Sequence, residues 1–242
     1  MPRGHPDWQV NTGQFSFLDM DTAEAMVRIG SPNVYSRSGR VLYIDGFEDS
    51  LAPWTQGFAL AGAAIARNTA QSFHGSACLK ITPASVATFQ SSAYKDFPYV
   101  VGQRHGVEEV VWGSLGTTRH SILLVVTHSP VLSRYALRLD YTTEKLSIWT
   151  LGDVWVDIDS GLGDMRSANP IWRWLKIVVD TETSAYVRAY FNNQVYDISN
   201  YRPVQEATVA LEGINLALYA TDLAGTQNPV YIDNLIYTID EP

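Results

Sequence analysis

The chain has 242 residues, of which 46% are hydrophobic and 17% are charged, and its formal net charge at pH 7 is −8. This composition is typical of a folded globular protein and excludes an intrinsically disordered chain. The acidic balance, without a long basic run, argues against phosphate recognition, so we expect no nucleic-acid partner. Aromatic residues make up 12% of the chain, which favours β-strands.

The first residues lack the apolar segment of a secretory leader, and no stretch reaches the roughly 18 apolar residues that a membrane span needs. We therefore expect synthesis in the cytoplasm without a signal peptide, and no insertion into a membrane. The single cysteine, Cys78, excludes an intrachain disulfide. It lies in a strand-like run, where we expect it to be a small buried apolar residue.

Residues 1–40 differ from the rest of the chain because they are rich in Gly, Pro, Ser, Asn and Asp. Asp21, with Glu24 three residues later, is typical of a helix N-terminus, and Gly30 and Pro32 end the run that follows. We predict an extended N-terminal arm over 1–40 that contains one short helix at about 21–29. Such an arm buries little surface on itself, so it must dock on something or stay mobile.

From residue 41 onwards the sequence is a succession of about a dozen strand patterns separated by turn signals. Leu137 and Leu139, for example, alternate with Arg138 and Asp140, which is the period of a half-buried strand. No helical pattern interrupts the series, so two packed antiparallel sheets are indicated. We predict an all-β fold with one antiparallel β-sandwich domain over 41–242, preceded by the arm.

Four short stretches within this domain carry a family resemblance. They are Tyr43 to Asp49 followed by Trp54, His74 to Ile81, Trp174 to Asp180 leading to Tyr190–Asn193, and Val230 to Leu235. In order and content they resemble motifs of the concanavalin A-like jelly-roll superfamily, which includes laminin-G-like and carbohydrate-binding modules. The resemblance covers about 41–240 and implies a jelly-roll β-sandwich.

The N-terminal arm carries a second resemblance. Arg3 to Trp8, a small predicted helix and then Asp45 to Asp49 resemble bacteriophage virion proteins, in which jelly rolls decorate capsids or tails. This resemblance implies a non-catalytic structural or accessory virion protein. Its partners would be other virion or assembly proteins and copies of itself, and its location would be the virion.

Aromatic residues indicate a possible binding surface. Trp172 and Trp174 share one face of a predicted strand, and Tyr186 and Tyr190 flank Arg188 on one face of the next. On a single sheet they would form an aromatic strip suited to stacking on sugar rings or to a protein interface. A carbohydrate-binding module that uses this face is therefore our alternative function. Ordinary packing beneath the arm or long loops would explain the same residues.

Three acidic residues are candidate ligands for calcium. Jelly-roll binding modules often hold a structural Ca²⁺ between their first and last strands, and Asp45, Glu48 and Asp233 could converge there if those strands pair. The other interpretation is that these carboxylates cap turns and accept hydrogen bonds from main-chain amides. No other cofactor is predicted.

Catalysis by the domain would require a pair of carboxylates. Retaining glycoside hydrolysis needs two of them about 5–5.5 Å apart on one face. Glu108 and Glu109 are adjacent, so a strand would direct them to opposite faces, and Asp157 and Asp159 share a face only if their strand continues past a turn-like segment. We therefore predict that the protein is not an enzyme, with a degenerate glycoside hydrolase as the third alternative.

Overall fold

The computed structural model describes residues 39–58, 60–88, 90–100, 104–113, 118–163 and 171–242, and these contain sixteen β-strands and no helix. No helix long and apolar enough to cross a membrane is found in this part of the chain. In chain order the strands are β1 (Arg40–Asp45), β2 (Thr55–Gly57), β3 (Ala64–Asn68), β4 (Cys78–Thr82), β5 (Gln90–Phe97), β6 (Arg104–Gly113), β7 (Thr118–His128), β8 (Val131–Asp140), β9 (Lys145–Thr150), β10 (Val154–Asp159), β11 (Arg173–Asp180), β12 (Ala185–Phe191), β13 (Gln194–Asp197), β14 (Val204–Ala207), β15 (Gly213–Asp222) and β16 (Val230–Ile239).

The strands form two eight-stranded sheets, and the pairings within both are antiparallel. Sheet A has the order β13-β12-β11-β6-β16-β4-β3, with β1 also paired to β16. Sheet B has the order β10-β9-β8-β7-β15-β5-β2, with β14 also paired to β8. The two sheets pack as a sandwich, which confirms the predicted all-β fold class.

Alternating side chains build the core between the sheets. In β8, Tyr135, Leu137 and Leu139 point inward and are at most 1% exposed, whereas Arg134 and Arg138 point outward. Each fully buried aliphatic side chain of this kind stabilises the fold by about 1.5–3 kcal/mol. The same alternation in the other long strands leaves one outer face on each sheet, and these two outer faces are where a ligand could bind.

Two features of the strand pattern differ from the sequence prediction. The sequence over about 57–66 is typical of one strand, but this region is divided between the end of β2 in sheet B and the start of β3 in sheet A. The connection turns at Gly62, whose φ of +83° is in the left-handed region that glycine adopts without strain. The short β14 was not predicted, since its sequence is largely polar. The predicted arm helix at about 21–29 lies outside the described residues.

Polar side chains inside the sandwich have specific partners. Glu109 of β6 points into the core and forms a hydrogen-bonded pair with His120 of β7, which joins the two sheets. Glu108 points to the outer face of sheet A, so the two glutamates lie on opposite faces, as predicted. Cys78 is fully buried, as predicted, and burial raises the pKa of its thiol to about 12.

Candidate functional site

Three of the predicted aromatic residues lie on or next to the outer face of sheet A. The rings of Trp174 and Tyr190 are 5.3 Å apart, so the structure does bring these two together. Trp172 precedes β11 and instead contacts Trp112 and Phe73, at 6.2 and 6.0 Å between ring centroids. Trp174 is only 3% exposed, so it offers almost no ring surface to a ligand.

Arg188 lies on the same face, but its charge is already compensated within the chain. Its guanidinium is 3.5 Å from a carboxylate oxygen of Glu241. The same carboxylate is 2.8 Å from the ammonium of Lys176, which is fully buried, and Glu108 is 3.6 Å from that ammonium. These contacts are those of a structural ion-pair network.

Tyr186 does not share a face with Arg188 and Tyr190, and this part of the prediction is wrong. The pairing of β11 with β12 slips by one residue: Val178 lies opposite Arg188, but Val179 lies opposite Tyr186. A β-bulge of this kind turns the side chains beyond it to the other face. The Tyr186 ring therefore lies in the core, at 1% exposure.

The hydroxyl of Tyr186 crosses the core to the backbone of sheet B. It donates a hydrogen bond to the carbonyl of Trp149 at 2.6 Å and accepts one from the amide of Ala136 at 2.9 Å. Ala136 lies where the pairing of β8 changes from β14 to β9. Tyr186 thus satisfies backbone groups that neither neighbouring strand reaches.

Both carboxylate oxygens of Asp45, a predicted calcium ligand, accept hydrogen bonds within the chain. One of its oxygens accepts a hydrogen bond from the amide of Phe47 at 2.7 Å. The other accepts hydrogen bonds from the hydroxyl of Tyr43 at 2.6 Å and from the indole N–H of Trp54 at 2.8 Å. Asp45 therefore caps a turn, which is the other interpretation given for this residue in the sequence analysis.

Asp233 and Glu48 cap the neighbouring loop in the same way. Asp233 accepts hydrogen bonds from the amides of Phe73 and His74 at 2.9 and 3.0 Å, and burial raises the pKa of its carboxyl. Glu48 accepts hydrogen bonds from the hydroxyl and amide of Ser76, and the hydroxyl contact lowers its pKa. Across the described ranges, no group of three or more His, Cys, Asp or Glu side chains could hold a metal ion. The structure therefore does not support the predicted calcium site.

The outer face of sheet B carries a recess of about 490 Å³, a volume within the range of ligand sites. Its floor is formed by outward-facing residues of the central strands, and its two ends are formed by aromatic side chains. The lining residues are Phe58, Thr88, Gln90, Arg119, Ser121, Leu123, Arg134, Ala136, Arg138, Trp149, Asp153, Trp155, Tyr219 and Thr221.

Two aromatic pairs lie at opposite ends of the recess. At one end, the rings of Trp149 (β9) and Trp155 (β10) are 6.0 Å apart and nearly parallel, with an interplanar angle of 11°. At the other end, Phe58 lies 6.2 Å from Tyr219 of β15, and Phe58 is 54% exposed. Strands β8 and β7 separate β9 from β15, which corresponds to about 14 Å at the usual spacing between strands.

The floor between the aromatic pairs holds three arginines on two adjacent strands. Arg119 of β7 donates a hydrogen bond to Asp140 at 2.6 Å, and Arg134 of β8 pairs with Glu206. The guanidinium of Arg138 lies over the ring of Trp155, 4.0 Å from its centroid. Desolvation lowers the pKa of Arg138, and the charge of Arg119 lowers it further.

Sequence reasoning did not select this recess, although two signals were present. Arg134, Ala136 and Arg138 alternate with the apolar residues of β8, so all three had to share the outer face. Trp149 and Trp155 are equally distant from Gly152, whose φ of +87° fits a tight turn. A hairpin centred there places the two tryptophans opposite each other, as observed.

Neither of the two carboxylate pairs considered for hydrolysis, Glu108 with Glu109 and Asp157 with Asp159, lies on one face of a strand. Asp153 is the one carboxylate among the residues that line the recess, and it accepts a hydrogen bond from the indole N–H of Trp149. Asp157 lies opposite Ser147, whereas Asp159 lies opposite the inward-facing Leu146 because the register shifts between them. Each of the two is also hydrogen-bonded, to Lys145 and Tyr196 respectively.

Comparison with known proteins places the chain in a structural class. No protein-family model matches the sequence, and no curated protein matches it. Among solved structures it is similar to the cellulose-induced protein Cip1, with a TM-score of 0.54 and 11% identity over 81% of this chain and 96% of that one. It is also similar to lectin I-B4 from Griffonia simplicifolia in its metal-free form, with a TM-score of 0.53 and 10% identity over 81% of this chain and 98% of the lectin.

A third similar structure is the carbohydrate recognition domain of Emp46p in a potassium-bound form. Its TM-score is 0.45 at 12% identity, over 82% of this chain and 94% of that one. Identities of 10–11% with the other two show the fold alone. The domain is a jelly-roll β-sandwich of the concanavalin A-like fold, as predicted.

Proposed function

We propose that this protein is a carbohydrate-binding module that holds an oligosaccharide across the recess of sheet B. The observation that carries the proposal is the pair of aromatic ends, Trp149 with Trp155 and Phe58 with Tyr219, on either side of a polar floor. Aromatic rings offer flat apolar surface to the C–H face of a sugar. Hydroxyl and guanidinium groups on the floor offer hydrogen bonds to sugar hydroxyls.

The shape of the recess supports an extended ligand. It is an open depression on a sheet, and the strands that carry Trp149 and Tyr219 are about 14 Å apart, so a chain of several linked sugars can contact both ends. The lectin named among the similar structures agrees with this proposal at the level of the fold. The single carboxylate in the recess favours binding over hydrolysis, which requires two.

Replacement of Trp155 tests the proposal. The wild-type protein is first screened against an array of neutral and acidic plant and microbial glycans, and the best ligand is then titrated by calorimetry. Trp155→Ala should weaken binding about 30-fold, the equivalent of about 2 kcal/mol, because the sugar loses an aromatic contact at one end of the recess.

The matched control is Trp112→Ala on the opposite sheet. Trp112 is also a half-buried tryptophan stacked on an aromatic neighbour, Tyr231, at 4.6 Å. It should leave the affinity unchanged. The proposal fails if no glycan binds, or if both substitutions weaken binding equally.

The virion role remains a prediction. It was derived from residues 1–40, and residues 1–38 lie outside the described part of the chain. Assembly partners, self-association and synthesis in the cytoplasm likewise remain predictions.

A further inference from the structure

Arg138 differs from the other two arginines of the recess in its charge partners. Arg119 and Arg134 each pair with a carboxylate. Arg138 forms no salt bridge with any described residue, and its Nε is buried without a hydrogen-bond partner there. Its one side-chain hydrogen bond in the described chain is to the Ser147 hydroxyl at 3.5 Å, at the limit of such a contact.

The two nearest carboxylates, Asp140 and Asp157, favour the charged form of Arg138 through their charges but form no hydrogen bond with it, because they are bonded to other residues. Asp157 accepts hydrogen bonds from Lys145 at 2.5 Å and from Ser147 at 2.8 Å. Asp140 accepts its contact from Arg119 on the adjacent strand. A partly buried guanidinium without an ion-pair partner is costly to keep charged, and an anion at the part of Arg138 that lines the recess would lower that cost.

We propose that Arg138 forms an anion subsite within the recess, so that the glycan bound there carries an acidic group, a carboxylate or a sulfate. This inference rests on the proposed function and specifies its ligand class. A guanidinium presents parallel N–H donors that match the two oxygens of such a group. The contact with the Trp155 ring orients this fork beside the aromatic end of the recess.

The surroundings of Arg138 fit an acidic sugar better than a free anion. Ser121 lies opposite Arg138 on β7, and Tyr219 lies opposite Ser121 on β15. This row of polar side chains leads from Arg138 across the floor towards the second aromatic pair. An acidic group at Arg138 would therefore leave the remaining sugars of the chain over the floor.

Two matched pairs of polysaccharides test the inference. One pair is polygalacturonate and its methyl ester, which differ in the carboxylate charge. The other pair is dextran sulfate and dextran, which tests sulfate. Wild-type protein should bind the acidic member of at least one pair about 10- to 100-fold more tightly, the range expected for one charge-assisted hydrogen-bonded pair. Which pair is discriminated tells carboxylate from sulfate.

Arg138→Gln should abolish this preference, because the affinity for the acidic member falls about 10- to 100-fold, whereas the neutral member loses at most one hydrogen bond to the guanidinium and its affinity falls far less. The matched control is Arg40→Gln, since Arg40 is an exposed arginine in an ion pair on β1 of sheet A. It should retain the full preference. Added salt should weaken the acidic ligand's binding to wild type and not to Arg138→Gln.

The possible failures are distinguishable. If neutral glycans bind in a Trp155-dependent manner and neither acidic member is preferred, the inference is overturned and the proposed function stands. A preference that survives Arg138→Gln also overturns the inference, because residues other than Arg138 would then recognise the acidic group of the ligand. If no glycan binds at all, the proposed function fails and the inference with it.

Discussion

The outer faces of the two sheets carry the same kinds of side chain, tryptophans and positive charges. The two faces differ in whether those charges are paired with carboxylates of the chain. On sheet A, the ammonium of Lys176 is fully buried and lies 2.8 Å from the carboxylate of Glu241, which also approaches Arg188. On sheet B, Arg138 lies at the edge of an open recess and has no carboxylate of its own among the described residues.

This difference separates a structural face from a recognition face. A charge that is buried and paired with a carboxylate of the same chain, as Lys176 is with Glu241, holds elements together. A positive charge that is partly buried beside an aromatic ring and has no ion-pair partner in the described part of the chain, as Arg138 is, can pair with an acidic ligand. The kinds of residue alone do not distinguish the two faces, whereas the pairing of charges does.

The largest expected effect is on the sheet A side of this comparison. Glu241→Gln keeps the shape of the side chain but leaves the buried ammonium of Lys176 with one carboxylate fewer, which should cost about 3 kcal/mol of unfolding free energy. Urea unfolding measures the change. Arg138→Gln on sheet B should change stability by less than about 1 kcal/mol. Equal losses in the two variants would remove the distinction between the faces.

The sandwich could be predicted from the sequence because alternation is a local signal. Leu137 and Leu139 had to point one way and Arg138 the other, whatever their neighbours. The hairpin turns were also local, as at Asn192-Asn193, where Asn192 has a φ of +51°. These signals sufficed for the fold class and for most of the strands.

The candidate site could not be predicted in the same way, because it depends on contacts between distant strands. The recess combines residues from Phe58 to Thr221, and no local pattern indicates that β7 pairs with β15. Tyr186 was assigned to the wrong face because one extra residue in β12, a β-bulge, reversed the alternation. The capping roles of Asp45 and Asp233 likewise depend on which amides lie nearby.

An intermediate loss of stability is expected when the link between the two sheets through Tyr186 is removed. Tyr186→Phe removes the hydroxyl that bonds the Ala136 amide and the Trp149 carbonyl, which leaves buried backbone groups unpaired. We expect a loss of about 2 kcal/mol of unfolding free energy. The matched control is Tyr190→Phe, because no described residue is hydrogen-bonded to that hydroxyl, and its loss should be below about 0.5 kcal/mol. Equal losses would show that the Tyr186 bonds contribute nothing specific.

The smallest expected loss of stability concerns Arg119, the arginine of the recess that pairs with Asp140, and it depends on pH. Burial alone would raise the pKa of the Asp140 carboxyl, but the amides of Thr143 and Thr142 and the guanidinium of Arg119 outweigh burial and lower it. Asp140→Asn keeps the oxygen that accepts from the two amides and replaces the charged oxygen that pairs with Arg119 by an uncharged NH2 group. Since Arg119 is 32% exposed, we expect a loss of only about 1 kcal/mol of unfolding free energy near neutral pH.

The sign of the pH dependence follows from the lowered pKa. A carboxyl whose pKa is lower in the folded state stabilises the fold above its unfolded pKa, and that stability is lost as pH falls through the folded value. The difference between wild type and Asp140→Asn should therefore be full at about pH 7 and vanish towards about pH 2, as measured by urea unfolding across that range. A difference that stays constant with pH would mean that Asp140 acts through its shape and not its charge. Arg119 would then be as uncompensated as Arg138, and the anion subsite would have two arginines.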